Sequence, residues 1–262
     1  MRGLYVEMRI RGSGAFYRAA GDASRGKMST LVELREYKLH PSASNSYVNS
    51  FNDSLALRER FYPLRTATLP EVGGVLNVAT HSYAWSGHEE RNANRAALGA
   101  TPEWKEYLAV SGPCVMEQKS QLFVEPPLVK DFGLHGFANS SSPGSDEANP
   151  DAIYEVRRYQ LKLGYTTVPK WLELYSAGLP SKLNAPGTDP TSSLVTVIYN
   201  EVGSLNEVIE LWRHGAGTGA METSRQAARG AHEWRQAIAN IAELAITFHS
   251  TIHKPMACSP WK

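Results

Sequence analysis

The sequence predicts an α+β protein of two tandem ferredoxin-like units, each a mostly antiparallel sheet with helices packed on one face. Three observations predict it. The segment Glu33-Leu-Arg-Glu-Tyr-Lys-Leu39 returns as Glu155-Val-Arg-Arg-Tyr-Gln-Leu161, both reading Glu-x-Arg-x-Tyr-x-Leu. Each copy is followed by the same order of patterns: an apolar stripe of helical period, two apolar-rich strands, two helical segments and a closing strand. A stretch rich in Ser, Pro, Gly and Asn, residues 139–150, separates the copies.

Alternate side chains of a strand share a face, so Glu33, Arg35, Tyr37 and Leu39 line one side, as do Glu155, Arg157, Tyr159 and Leu161. In the next segment Tyr47, Phe51 and Leu55 recur every fourth residue beside Val48. The second copy repeats this with Trp171, Tyr175 and Leu179, joined by Leu172 and Leu183. That spacing gives an apolar stripe on a polar helix. Ser44 or Asn45 suits the start of the first helix, and Thr167 with Pro169 the start of the second.

Strands are expected at 64–69 and 73–85, and again at 194–199 and 205–212, the second pair joined through Asn200-Glu-Val-Gly203. Polar helices follow at 89–97 and 221–228. The next helices should bury Trp104, Tyr107 and Leu108 in one copy and Trp234, Ile238 and Ile241 in the other. Closing strands are expected at 120–124 and 246–252.

These elements place the first unit at 29–130, a linker at 131–151 and the second unit at 152–262. Residues 1–28 differ in composition. Arg2, Arg9, Arg11, Arg18, Arg25 and Lys27 face only Glu7 and Asp22. Arg-rich, acid-poor composition fits a mitochondrial targeting segment; the alternatives are a poorly ordered leader or initiation at Met28.

Composition narrows the function classes. A net charge of +1 argues against a dedicated nucleic-acid binder, which concentrates Lys and Arg. No apolar run approaches the ~18–20 residues that span a bilayer. Cys114 and Cys258 make neither a CxxC pair nor a disulfide framework and read as reduced thiols.

Several of these segments together resemble the NIPSNAP family: Tyr154-Glu-Val-Arg-Arg-Tyr-Gln-Leu161, Leu211-Trp212, Glu233-Trp234 and the closing Pro255-Met-Ala-Cys-Ser-Pro260. The resemblance runs over about 31–260 and is closer in the second copy, since residues 87–99 depart more freely. It implies a dimeric α+β barrel and a mitochondrial location, in the matrix or on the inner membrane. It also implies roles in mitochondrial quality control, membrane-associated traffic or large mitochondrial assemblies, mostly through protein contacts. The family carries no accepted catalytic constellation, so no catalytic residue and no cofactor are implied.

The duplicated rows supply the candidate ligand site. Arg35, Tyr37, Arg157 and Tyr159 are placed to line a shared polar cavity and hold an anionic or aromatic ligand. The alternative has Glu and Arg pairing across the sheet where the repeats meet, fixing register. His81 and Tyr83 share a strand face near a barrel cavity, as a proton-transfer dyad or as a hydrogen-bonded, half-buried pair. His249 and His253 share a strand face without an HExxH motif, so no metal site is expected. Gly215-Ala-Gly-Thr-Gly-Ala220 sits between strand and helix but lacks the later acidic residue of a dinucleotide site, and reads as a loop.

The expected function is therefore that of a non-enzymatic mitochondrial interaction or scaffold protein, an accessory member of a larger complex such as a respiratory-chain assembly. Its partners are expected to be proteins, with an intrachain pseudo-dimer or homo-oligomer as its form. The alternatives are a cofactor-independent monooxygenase-like enzyme of the same fold, or a haem-binding protein.

Overall fold

The computed structural model describes residues 30–144 and 149–262. The basic leader expected at 1–28 lies outside the described residues. The first unit runs β1 (Leu31–Leu39), α1 (Ser44–Asp53), α2 (Leu55–Glu59), β2 (Leu64–Val72), β3 (Val78–Trp85), α3 (His88–Ala100), α4 (Pro102–Ser111) and β4 (Val115–Val124). A short α5 (Leu128–Asp131) follows. The second unit runs β5 (Ile153–Leu161), α6 (Thr167–Leu183), β6 (Ser192–Val202), β7 (Glu207–His214), α7 (Gly217–Gly230), α8 (His232–Ala242) and β8 (Ala245–Pro255). Both units therefore carry the expected order of elements.

Local chemistry accounts for the boundaries. Thr101 caps α4, its side-chain oxygen accepting from the Trp104 N–H at 3.3 Å with Pro102 at the first turn. The first helical stripe is divided in two at Ser54, whereas its counterpart α6 is continuous. Ser44 opens α1 after a 3-10 turn that begins at Pro41, and no side chain caps it. The hairpin expected around Asn200–Gly203 turns later, at Gly203 and Asn206, both in positive φ, because β6 stays paired through Val202.

Within each unit the sheet orders as β2-β3-β1-β4 and β6-β7-β5-β8, every pair antiparallel. The two sheets join edge to edge through β2–β8 and β4–β6, closing one barrel in the order β1-β3-β2-β8-β5-β7-β6-β4. The closure satisfies the outer edge strand of each unit within one chain. In register, Arg35 pairs with His81 and Ser120, and Arg157 with Glu210 and Ser250.

Three apolar cores follow from strand alternation. Val32, Leu34, Tyr154 and Ile209 fill the barrel interior. Tyr37, Tyr47, Phe51 and Trp85 pack between the first sheet and its helices, and Tyr159, Trp171, Tyr175 and Trp234 do so in the second unit. Full burial of one such ring contributes ~2–3 kcal/mol. Leu108 departs from expectation, being exposed on α4, while Trp104 and Tyr107 turn inward.

Between the units, Phe137 is buried although it lies within 131–151, assigned as linker. It stacks on Trp261 at 5.1 Å, and the Trp261 indole donates to the Ser140 carbonyl. Phe137 lies just before the polar run 139–150, and its partner Trp261 is 124 residues away, so no local pattern marks it. Cys114 and Cys258 are free and buried. Among the described residues no helix is long and apolar enough to cross a membrane.

Candidate functional site

Strand alternation turns the duplicated Glu-x-Arg-x-Tyr rows outward, beneath the helices of their own unit, while Glu36 and Arg158 turn into the barrel. Glu33 accepts from Arg91 at 2.8 and 2.9 Å, from Arg95 at 3.2 Å, from Ser120 at 2.8 Å and from the Trp85 indole at 3.2 Å. Glu155 accepts from Arg225 at 2.7 Å and Ser250 at 2.8 Å, with Arg157 Nε at 3.0 Å. Burial pushes both carboxyls up. The Arg91 bond and Arg35 charge at Glu33, and the His214 bond and Arg157 charge at Glu155, more than offset it and hold both below the usual range.

Each glutamate thus fastens a central strand to a helix of the same unit. The ion pair that joins the repeats is a different one: Arg158 meets Glu36 at 2.7 Å and Glu207 at 3.2 Å inside the barrel. The register-locking role belongs to these residues and not to the repeated Glu–Arg rows.

Of the ligand-site candidates, Arg35, Tyr37 and His81 come together in the first unit, and Arg157 and Tyr159 in the second. The two groups lie under separate helix layers and share no cavity, because β1 and β5 stand on opposite sides of the closed barrel. His81 is fully buried, its ring 5.0 Å from Tyr37 and 4.3 Å from Phe51, and its Nδ1 is 3.4 Å from the Tyr83 hydroxyl. The pair faces the helices, not the barrel interior. Burial, then the charges of Arg58 and Arg35, push the imidazole well below its ordinary value, so it is neutral.

The second unit holds an open cleft of about 610 Å³ between sheet and helices. Arg157, Arg225, Arg229 and Arg235 contribute four guanidinium groups to its walls, with the Lys182 amine beside them; Glu155 is the carboxylate among the lining residues. Trp212, Trp234 and Phe248 supply aromatic surface. Glu210 lies beneath, fully buried, accepting from the Tyr159 hydroxyl and the Trp212 indole at 2.6 Å each. Arg157 Nη1 and Lys182 Nζ approach it at 3.6 and 3.9 Å. Burial raises the Glu210 carboxyl, and Arg157 and Lys182 more than reverse this, so it remains a carboxylate.

In the first unit the same place is filled. Arg58, 1% exposed, lies over the rings of Phe51 at 4.1 Å, Trp104 at 4.9 Å and Tyr107 at 5.1 Å, and donates to the Tyr83 hydroxyl at 3.2 Å. The offset that pairs Tyr47 with Trp171 and Phe51 with Tyr175 also pairs Arg58 with Lys182. Extending that stripe by one turn would have marked both cations in the sequence. Glu210 was legible only through register, as the partner of Arg157 where His81 faces Arg35.

A closed antiparallel barrel from two α+β halves of one chain, each with a sheet–helix face able to hold a cleft, defines a tandem dimeric α+β barrel protein. The NIPSNAP family model matches residues 32–127 and 154–260, one match over each unit, and the chain belongs to the NIPSNAP family. Mouse protein NipSnap homolog 3B is 26% identical over 188 residues, covering 72% of this chain and 68% of that protein. Human protein NipSnap homolog 3A is 25% identical over 183 residues, covering 70% and 66%. The crystal structure of a Lactobacillus acidophilus protein, provisionally called a monooxygenase, superposes with a TM-score of 0.58. It is 7% identical and covers 89% of this chain and 97% of that one, a likeness of fold alone.

Proposed function

We propose that the chain is a non-catalytic binding protein of the mitochondrial NIPSNAP type whose second unit holds a small anionic molecule. The supporting observation is the contrast between the two sheet–helix faces: one sealed by Arg58 and its aromatic stack, the other open and edged by four guanidinium groups and Lys182. Of these, the Arg235 side chain has no ion-pair or hydrogen-bond partner among the described residues, its backbone N–H donating to Ala231. Guanidinium groups and tryptophan faces together suit an aromatic or short-chain carboxylate. Calorimetric titration with benzoate should show one site per chain, and Arg225→Ala should weaken it about tenfold. No heat of binding across a panel of small carboxylates would contradict the reading.

The monooxygenase-like alternative needs an apolar cavity with Tyr or His turned inward, whereas the floor here is a polar cluster of the Glu210 carboxylate, the Arg157 guanidinium and the Lys182 amine. The haem alternative needs a free histidine. His214, which lines the cleft, has Nδ1 on Ser192 at 2.8 Å and Nε2 3.4 Å from Glu155.

A second observation supports docking on a larger mitochondrial assembly. Both hairpin tips lie at one end of the barrel, since β1, β2, β5 and β6 run parallel to one another, and they expose Val72, Val75, Leu76, Val202 and Leu205. In native gels of mitochondria from the source cells the chain should migrate with a complex far larger than itself. Val75→Glu with Leu76→Glu should release it. Migration as an isolated species, or a cytosolic signal in fractionation, would contradict this reading.

A further inference from the structure

We propose that Lys182 captures carbonyl compounds, forming a reversible imine with an anionic aldehyde or 2-oxo acid seated in the second-unit cleft. This rests on the reading of the cleft as an anion site and adds a covalent step to it. Lys182 extends from the last turn of α6 into a slot between two indoles, its Nζ 3.7 Å from the Trp212 ring centre and 4.4 Å from that of Trp234. Its side chain is 13% exposed and reaches the cleft wall, so the nitrogen is confined yet accessible.

The surroundings weaken the amine's hold on its proton, against the two indole faces, which favour the ammonium. Burial disfavours the ammonium; Glu210 of β7 partly restores it, and Arg157 of β5 opposes it. Glu155 of β5 and Arg225 of α7 act in opposite senses from farther away, and Arg235 of α8 lines the same cleft. The amine is drawn down to about 7 from an ordinary 10.5. Near pH 7 roughly half of it is therefore unprotonated, against less than one in a thousand for an exposed lysine. A nucleophilic lysine next to further cations in a desolvated pocket is the arrangement imine chemistry requires. The first unit cannot do this, because the guanidinium of Arg58 does not lose its proton.

The step balances without an oxidant or reductant. The Nζ lone pair adds to the carbonyl carbon while the C=O π pair moves to oxygen, giving a carbinolamine once a proton passes from nitrogen to oxygen. Loss of water then forms the C=N bond. Glu210, with Oε2 3.9 Å from Nζ, is placed to take the proton released from nitrogen and return it to the departing hydroxyl. Arg157 and Arg225 are placed to hold the ligand's carboxylate. A purely structural lysine, serving as counter-charge to Glu210, would be replaceable by arginine in every readout.

The test is reductive trapping of the full chain with glyoxylate and sodium cyanoborohydride, read by intact mass and peptide mapping. The proposal expects one adduct on the peptide carrying Lys182, formed at least ten times faster than on the exposed Lys170. Its rate should rise with pH through a midpoint near 7. Lys182→Arg, checked for wild-type circular dichroism, should remove the adduct. Labelling spread evenly over the lysines, or equal trapping by Lys182→Arg, overturns the imine. Benzoate titration of the wild-type chain separates the two ideas. Benzoate binding without trapping overturns the imine and leaves the anion site, and trapping at Lys182 without benzoate binding does the reverse.

Discussion

Arg58 and Lys182 occupy matching positions in the two halves of the barrel, yet Arg58 is sealed under three aromatic rings while Lys182 reaches an open cleft. The difference has a local cause. When Trp104 is matched with Trp234, the place of Tyr107, which covers Arg58, falls to Ala237. One unit closes its sheet–helix face with a ring, and the other lacks that ring.

Removing the sealed cation should therefore be costly. Arg58→Ala loses the stack on Phe51 and Trp104 and leaves the Tyr83 hydroxyl without its guanidinium donor. A loss of about 2–4 kcal/mol is expected in urea unfolding. Arg58→Lys keeps the charge but not the planar stack and should recover only part of it.

The Glu33 carboxylate collects two arginines, a serine and an indole under the first helix layer. Glu33→Gln leaves Arg91 and Arg95 beside a neutral group and should lower stability by roughly 3 kcal/mol. An unchanged urea midpoint would mean that α3 is not fastened to β1 through this group.

Helices α6 and α8, which wall the open cleft, touch at Gly178. A Cβ added there would stand 2.5 Å from the Ala237 methyl and 3.2 Å from the Glu233 carbonyl oxygen. Gly178→Ala forces the helices apart and should cost about 1–3 kcal/mol by overpacking. It should also change Trp234 fluorescence, because that indole follows α8.

Much of this architecture was legible from strand and helix periods, because both copies write the same pattern: Tyr37 and Tyr159 occupy equivalent strand positions under equivalent helices. The order in which the sheets join was not legible. β2–β8 and β4–β6 pair residues far apart in the chain, and edge pairing leaves no short-range signature. The candidate site was half legible. Arg157 and Tyr159 stood out as repeated residues, while Glu210 and Lys182 came from elements whose neighbours only the closed fold supplies. The shared cavity failed for the same reason: strands that look alike in sequence stand on opposite sides of a closed barrel.

Acid should weaken the fold in a defined window. Burial, and then the charge of Arg158, draw His253 down to about 4 from 6.5. Its folded value lies below its unfolded one, so its contribution is complete above pH 6.5 and is lost as the pH falls towards 4. Buried His81 is shifted in the same direction. Between pH 6 and 4.5 His253 should add a slope approaching ~1.4 kcal/mol per pH unit. Urea unfolding of His253→Gln should show a slope smaller by about one proton.

The inequality of the two faces is tested most directly at Lys182 itself, by competitive acetylation of the native chain across pH with peptide-level mass spectrometry. An open cleft around a desolvated amine predicts that Lys182 is modified with a midpoint near pH 7 and, at neutral pH, reacts ahead of the exposed Lys170. A Lys182 protected at every pH, or one that reacts no faster than Lys170 at neutral pH, would contradict the open, charge-lined cleft on which the functional reading depends.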